Sequence, residues 1–263
     1  MLRYFISDLH LSEKRPDLTR AFTLLIDQIK HSECQQATEF YILGDFYEAW
    51  IGDDHNPDWN HPIMSSLSSL RDSNINLFVM HGNRDFLLGE RWAESVGARL
   101  IPEQTIIHSS NSSSILLSHG DEYCIEDVEY QAFRKQVRQQ EWQDHVLGLP
   151  LEHRIALAEQ LRNDSKSMSA EKNNDIMDVT KSEIAATLKK LNCNHCIHGH
   201  THKPRLHTDE YNRLVLGDWD DFVWLAVLHN NELTQYRLPI NLIATSQSWH
   251  KTHLEKIHSL HLN

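Results

Sequence analysis

Cysteine is scarce in this sequence, with four residues in a chain of 263. Cys34, Cys124, Cys193 and Cys196 have no regular spacing, so we expect no disulfide framework and a reduced, cytosolic compartment. The pair Cys193-x-x-Cys196 would suit zinc or redox chemistry. Because no second pair accompanies it, a structural or incidental role is favoured.

Long hydrophobic runs are also missing. No apolar stretch approaches the ~20 residues that a membrane-spanning helix needs. Residues 1–8 do not show the charged segment followed by a long apolar stretch that marks a signal peptide. We therefore expect a soluble protein, or one attached at most to a membrane surface.

Positively charged residues are fewer than negatively charged ones. Asp and Glu number 37 against 25 Lys and Arg, a formal charge of −12. A general nucleic-acid binder would carry a basic field, so this class is disfavoured. The acidic excess is compatible with cation binding, and some of the 19 His residues must be ligands or solvated surface groups.

Short apolar stretches alternate with longer amphipathic ones, which indicates a mixed α/β fold. The spacing predicts a helix from about residue 16 to residue 30. Buried strands are predicted at residues 4–7, 39–43, 77–80, 114–117 and 196–197, and a meander of short strands at 214–216, 224–228 and 233–236.

We expect a core formed by residues 1–125 and 191–240, a helical insertion at 126–190 and a tail at 241–263. In the insertion, Leu147, Leu151, Ile155 and Ala158 form an apolar stripe, which predicts either helix packing or a lid. Residues 163–175 are polar and predict a loop. The His-rich tail predicts a solvated terminal helix.

Polar motifs follow the predicted strands, where α/β folds place their ligand sites. Carboxylate, imidazole and amide side chains without thiolate suit Mn²⁺, Fe²⁺ or Zn²⁺. Glycine beside three of the motifs allows the backbone to turn tightly near a metal. The motifs are Asp8-x-His10, Gly44-Asp45, Gly82-Asn83, His119 and Gly199-His200-x-His202.

This order of motifs resembles the calcineurin-like metallophosphoesterases, whose fold is an αββα sandwich with a dinuclear metal centre. The resemblance implies that one metal is held by Asp8, His10, Asp45 and His202. It implies that the other is held by Asp45, Asn83, His119 and His200, with Asp45 bridging. Two cations about 3.5–4 Å apart lower the pKa of a water, neutralise phosphate oxygens and orient the phosphorus. No Ser or Cys nucleophile is then required.

Arg84 stands where many members of that superfamily have a His that protonates the leaving group. A guanidinium cannot donate that proton, since its pKa is above about 12, but it can grip phosphate oxygens bidentately. A phosphate in a diphosphate is a leaving group that needs little protonation. The alternative is a structural pairing of Arg84 with Asp85 or Asp127.

Longer phrases resemble one branch of the superfamily, the UDP-2,3-diacylglucosamine diphosphatases of lipid A biosynthesis. These phrases are residues 8–11, 43–54, 81–86, 118–121, 130–134, 176–179 and 198–204. The resemblance implies hydrolysis of the UDP-linked diacylated glucosamine to its 1-phosphate and UMP, with two Mn²⁺ ions per chain. It also implies peripheral association with the cytoplasmic face of the inner membrane, without an obligate protein partner.

The same resemblance implies the substrate contacts, and the helical insertion would then cover two acyl chains. Ser169 is a departure, because the branch often has Asn there. The catalytic residues implied are Asp45, Asn83, Arg84 and His119. The substrate-binding residues implied are Asn83, Arg84, Asp127, Ser165, Ser169, Lys172 and His200.

Two other functions stay open at this point. A related enzyme could act on a soluble nucleotide diphosphate or a cyclic nucleotide, although Arg84 and the apolar insertion count against it. A scaffold of this fold that has lost catalysis is disfavoured by the complete set of ligands. A nuclease is disfavoured by the acidic balance.

Overall fold

The computed structural model describes residues 1–31, 37–171, 178–245 and 254–262, and for residues 166, 168–171 and 243–245 it describes the backbone alone. The strands in these ranges are β1 (Leu2–Ile6), β2 (Thr38–Leu43), β3 (Ile75–Met80), β4 (Ala98–Ile101), β5 (Thr105–His108), β6 (Ser114–Leu117), β7 (His195–His198), β8 (Arg205–Thr208), β9 (Asn212–Val215), β10 (Phe222–His229), β11 (Glu232–Pro239) and β12 (Glu255–His261). The helices are α1 (Pro16–Lys30), α2 (His61–Asp72), α3 (Glu90–Val96), α4 (Val128–Val137), α5 (Gln140–Leu147), α6 (Leu151–Glu171), α7 (Lys181–Leu191) and α8 (Ile240–Thr245).

The strands form two sheets. The first has the order β12-β11-β10-β1-β2-β3-β4, in which β1 to β4 are parallel and the other strands pair antiparallel. The second has the order β5-β6-β7-β9-β8, with β6, β7 and β9 parallel. The predicted strands after residue 211 are confirmed, but they divide between the sheets: β9 joins the second, and β10 and β11 join the first.

The sheets pack face to face with helices on their outer sides. Alternate residues of a strand point to opposite faces, so Phe5 enters the core between the sheets while Tyr4 and Ile6 face α1 and α2. On the second sheet, Leu116 faces outward and packs with Ile184 of α7. These layers form the αββα sandwich, and the predicted fold class is confirmed.

Helix α1 has the bounds that the sequence predicts. Pro16 occupies the first turn, where its missing N–H breaks no hydrogen bond, and Asp17 there interacts favourably with the helix dipole. Leu18, Phe22 and Ile29 belong to one buried face against the first sheet. Periodicity and end signals agree in this segment, so it was predictable.

The loop predicted at residues 163–175 is wrong for its first part. Helix α6 continues through residue 171, and residues 172–177 lie outside the described residues. A helix that has begun at Leu151 and packs on the core through Leu157 is extended at little cost, which overrides the weak helix propensity of Asn163 and Asp164. The boundaries of the insertion stay a prediction. Helix α7 packs on the second sheet.

The helix predicted for the tail is also wrong, because residues 255–261 form the edge strand β12 on β11. A bulge places two residues of β12 opposite one step of β11, between Gln235 and Tyr236. Ile257 packs on one side of the sheet, and Leu260 and Leu262 pack on the other. His250 and His253 lie outside the described residues.

Among the helices that the structure describes, none is both long and apolar enough to cross a bilayer.

Candidate metal centre

The predicted ligands follow the carboxyl ends of five strands. Asp8, Asp45 and Asn83 come after β1, β2 and β3 of the first sheet, and His119 and His200 come after β6 and β7 of the second. Parallel strands end at the same edge, so the two face-to-face sheets bring these loops together. The backbone N–H of His200 donates to Asp8 Oδ2 at 3.0 Å, which ties the two sheets at this edge.

Several candidate ligands have a left-handed backbone that is uncommon for residues other than glycine. The φ angles are 55° at Asp8, 51° at His10, 52° at Asp45, 66° at His200 and 54° at His202. Each such residue carries a strain of order 1–3 kcal/mol, which the surrounding structure must support. Strain concentrated in one group of side chains is typical of a functional site.

One group of potential ligands consists of Asp8, His10 and His202. A carboxylate oxygen and a ring nitrogen from each His lie within 4.8 Å of one another. The two Nε2 atoms of His10 and His202 are 3.2 Å apart, and His202 Nε2 is 3.5 Å from Asp8 Oδ1. Nδ1 of His10 lies 3.4 Å from Glu48 Oε2, so a second carboxylate orients the ring.

A second group gathers around Asn83. Its Oδ1 lies 3.0 Å from His119 Nε2 and 2.9 Å from His200 Nδ1. Nδ1 of His119 donates to the carbonyl of Leu43 at 2.9 Å, so in the neutral ring Nε2 presents a lone pair. His119 Nε2 also lies 3.7 Å from Asp45 Oδ1. Acceptor atoms that converge on one point fit a cation.

The electrostatics of the centre also favour a bound cation. Burial, together with the carboxylates of Asp85 and Asp8, raises the pKa of Asp45 to about 7. Burial lowers the pKa of His119, but the carboxylates of Asp45, Asp8 and Asp121 outweigh it and raise this pKa to about 9. The His119 shift reflects the carboxylates gathered around this ring, whose charge divalent cations would balance.

Glycine is required beside these ligands because the backbone passes so close to them. A Cβ at Gly82 would lie 2.1 Å from Asp45 Oδ1. Gly44 has a φ of +88°, and a Cβ there would lie 2.5 Å from His119 Nδ1. The expectation that glycine allows tight turning here is confirmed at both positions.

Arg84 lies beside the centre. Its backbone N–H donates to Asp45 Oδ1 at 2.8 Å, and its guanidinium lies 3.9 Å from Asp45 Oδ2 and 3.6 Å from Glu48 Oε1. The suggested structural partner Asp85 instead accepts backbone N–H groups, among them those of Phe46 and Gly82. The guanidinium is therefore available to phosphate oxygens at the metals.

The structure brings some of the expected substrate-binding residues together. An apolar cavity of about 300 Å³ opens from Asn83 and Arg84, and both Asp127 and Ser165 line it. Asp127 also caps α4 by accepting the N–H of Tyr130. Ser169 lies on α6, where the structure describes only its backbone. Lys172 lies outside the described residues.

The cavity lies between the core and the helices α4 to α6. Its apolar lining consists of Trp50, Phe86, Leu87, Phe133, Trp142, Val146, Leu157, Ala158 and Leu161. Of the predicted apolar stripe, Ala158 lines this cavity and Leu151 is half-buried, whereas Leu147 and Ile155 are exposed. A break at Pro150 separates α5 from α6, so the spacing of three to four residues does not continue from one helix into the next.

Two residues support the centre through contacts that the sequence did not predict. Asp85 is fully buried and ties the loops after β2 and β3. The ring of Tyr130 stacks on His200 with centroids 6.0 Å apart, and its hydroxyl donates to Asp121. Both residues lie inside phrases that the sequence singled out, which was the available signal.

The cysteines that the structure describes are buried away from the centre. Cys124, Cys193 and Cys196 pack with Leu116 and Leu188 on the outer side of the second sheet. Burial raises the pKa of the Cys196 thiol, which disfavours the thiolate that a metal would need. This placement agrees with a structural role.

Comparison with known proteins agrees with this geometry. The calcineurin-like phosphoesterase family matches residues 1–204. The chain belongs to this family.

Similar proteins within the family carry the name UDP-2,3-diacylglucosamine hydrolase. The one from Marinobacter nauticus is 42% identical over 238 residues, which cover 88% of this chain and 95% of the relative. The one from Cellvibrio japonicus is 43% identical over 226 residues, covering 84% and 92%. The Zn-complexed Vps29 of Entamoeba histolytica aligns over the whole of both chains at 14% identity, with a TM-score of 0.47.

Proposed function

We propose that this hydrolase cleaves the diphosphate bond of UDP-2,3-diacylglucosamine and forms 2,3-diacylglucosamine 1-phosphate and UMP. The observation that carries the proposal is the apolar cavity that opens directly from Asn83 and Arg84. A substrate with a diphosphate next to two acyl chains needs such a cavity beside the metals, whereas a soluble nucleotide does not. The names of relatives that are about 40% identical over most of the chain support the same substrate.

The reaction adds water across a phosphoric anhydride. One phosphorus gains the oxygen of water while its bond to the bridging oxygen breaks, and that oxygen leaves with the other phosphate. Two divalent cations, one at the Asp8, His10, Asp45 and His202 group and one at the Asp45, Asn83, His119 and His200 group, would activate the water and neutralise phosphate oxygens. Mn²⁺ is proposed for both, since the donor atoms are carboxylate, imidazole and amide.

Arg84 binds the phosphate and does not donate a proton. Its guanidinium stays charged, and the leaving phosphate of an anhydride needs little protonation. The ion pairs with Asp45 and Glu48 hold the side chain at the rim of the centre. The guanidinium can therefore grip a phosphate oxygen without a large rearrangement.

The acyl chains supply binding energy. Each CH₂ group moved from water into an apolar site contributes about 0.8 kcal/mol. Trp142, Phe133 and Leu161 of the insertion line the cavity opposite Phe86 and Leu87 of the core. The insertion therefore covers the lipid part of the substrate.

The substrate lies in a membrane, so we propose peripheral attachment to the cytoplasmic face of the inner membrane. Val128 is 73% exposed between two residues that line the cavity, Asp127 and Glu129. Ile125 nearby is 43% exposed. An apolar rim at the mouth of a lipid cavity supports contact with the bilayer surface. Nucleic acid and an obligate protein partner are not expected.

The test is a Mn²⁺-supplemented assay of UMP release from UDP-2,3-diacylglucosamine. We expect turnover by the wild type and by Asp72→Ala, an exposed aspartate on α2, and none by Asp45→Ala. Equal hydrolysis of UDP-glucose by the wild type would contradict the lipid substrate. Equal activity of Asp45→Ala would contradict the metal centre.

A further inference from the structure

A second cavity lies on the other side of the metal centre. It is a groove of about 730 Å³, lined by Ser12, Lys14, Arg15, His55, Trp59 and Asp220, among others. Its volume falls within the range of about 300–1,000 Å³ that small-molecule sites occupy. Neither the motifs nor the apolar cavity assigns it a ligand.

One wall separates the groove from the apolar cavity. Glu48, Trp50, Arg84 and Arg162 border both. Glu48 pairs with Arg162 of α6 and lies 3.6 Å from Arg84 Nη1. Two guanidinium groups therefore flank this carboxylate on top of the wall, where their N–H groups could bind a diphosphate that crosses from one cavity to the other.

The two ligand groups face different cavities. Asn83 borders the apolar cavity, while His10 and His202 border the groove. A molecule whose phosphates bind at the metals can therefore extend one end into each cavity.

The lining of the groove differs in chemistry from that of the cavity. Lys14 is a cation that suits a phosphate, while Asp220 pairs with Arg15 and offers acceptors to hydroxyl groups. Trp59 is half-buried, with its ring packed on the edge of Tyr47 at 6.1 Å. An indole with an accessible part can stack on a base.

From these observations we propose that the groove binds the nucleoside 5′-monophosphate half of the substrate, while the apolar cavity holds the acylated sugar. The inference rests on the proposed function, because only a substrate with a nucleotide and a lipid on either side of a diphosphate uses both cavities. Hydrolysis at the wall would then release the two products in different directions.

The test measures equilibrium binding of UMP and of inorganic phosphate to the Mn²⁺-loaded protein by calorimetry. Trp59→Leu keeps an apolar side chain on Tyr47 but removes the indole, and we expect the Kd for UMP to rise about tenfold or more. The Kd for inorganic phosphate, which reports the metals alone, stays unchanged.

Charge reversal gives a second, independent variant if Trp59→Leu fails to fold. Lys14 is exposed and lines the groove, so Lys14→Glu should raise the Kd for UMP about fivefold. Lys135→Glu on α4 is the matched control, since Lys135 is exposed and lines neither cavity. Phe133→Ala in the apolar cavity should leave UMP binding unchanged and raise the KM for the lipid substrate.

The outcomes separate this inference from the proposed function. If both groove variants bind UMP as the wild type does while UDP-2,3-diacylglucosamine is still hydrolysed, the subsite is wrong and the function stands. If the groove variants weaken UMP binding but the lipid substrate is not hydrolysed, the subsite stands and the proposed function falls. A stronger effect of Phe133→Ala on UMP than of Trp59→Leu would place the nucleotide in the apolar cavity.

Discussion

The carboxylate of Asp85 accepts a hydrogen bond of 2.7 Å from the backbone N–H of Phe46, which lies 39 residues earlier in the chain. The same carboxylate accepts the N–H of Gly82 at 2.8 Å and is fully buried. It joins the loop that carries Asp45 to the loop that carries Asn83. One side chain therefore sets the distance between two candidate ligands of the same metal.

We expect Asp85→Asn to loosen the metal centre. An amide has one acceptor oxygen and turns two donor hydrogens toward backbone N–H groups, and hydrogen bonds to a charged group contribute about 1.5–3 kcal/mol each. Affinity for Mn²⁺ should fall about 10- to 100-fold, as for the loss of other outer-sphere supports. Metal titration measures it, with Asp72→Asn as the exposed control. Unchanged affinity would show that the loops hold their positions without Asp85.

Gly82→Ala should abolish hydrolysis. The added Cβ would lie 2.1 Å from Asp45 Oδ1, so the carboxylate must move. Gly148→Ala is the matched control, because its added Cβ meets its nearest neighbour, the Asp144 carbonyl, only at 3.3 Å and its φ is −78°. We expect the control to keep its activity and to change the free energy of unfolding by about 1 kcal/mol or less. Retained activity in Gly82→Ala would mean that Asp45 is not a bridging ligand.

Because of His198, the free energy of unfolding should fall in acid. Burial, with a contribution from the Arg213 guanidinium, lowers the pKa of His198 to about 3. In the unfolded chain this pKa is about 6.5, so below that pH the unfolded state binds more protons than the folded state. The stabilisation is complete above about pH 6.5 and is lost as the pH falls toward about 3.

Urea unfolding at pH 7 and pH 5 checks this sign. The wild type should lose about 2 kcal/mol more over this range than His198→Gln, whose side chain does not titrate. His61→Gln removes an exposed imidazole, and its pH dependence should follow the wild type. Parallel profiles for His198→Gln and the wild type would contradict a buried neutral His198.

Arg154 attaches the insertion to the core. It is 4% exposed, donates to the carbonyl of Ile51 at 2.7 Å and pairs with Asp54. Arg154→Met keeps much of the packing but removes these bonds, so α6 should lose its position over the cavity. We expect a higher KM for the lipid substrate, an unchanged rate on a small soluble phosphodiester, and a destabilisation of about 1–3 kcal/mol.

Kinetics on both substrates separate this effect from general unfolding. Arg20→Met, at an exposed position of α1, is the control and should match the wild type on both. A similar loss of activity on both substrates would contradict a specific effect of Arg154 on the position of α6.

Much of the fold and of the candidate site was predictable because the signals are local. Helix α1 shows its periodicity, its proline and its acidic first turn within fifteen residues. The candidate ligands follow short apolar strands directly, so the motif order placed them at the ends of strands. The contacts that Asp85 and Tyr130 make at the centre were not predicted, since their partners Phe46 and His200 lie far away in the sequence.

The sequence by itself determined the strand-end motifs, the mixed α/β class and the absence of a proton-donating His after Asn83, because each depends on neighbouring residues. Only the tertiary structure decided that the tail is an edge strand, that α6 runs on through residue 171 and that two cavities flank the metal centre. These features depend on contacts between distant segments: β12 needs the free edge of β11, and each cavity needs α6 against the loop after β2. Such contacts supply more free energy than local propensity, which is why they prevail where the two disagree.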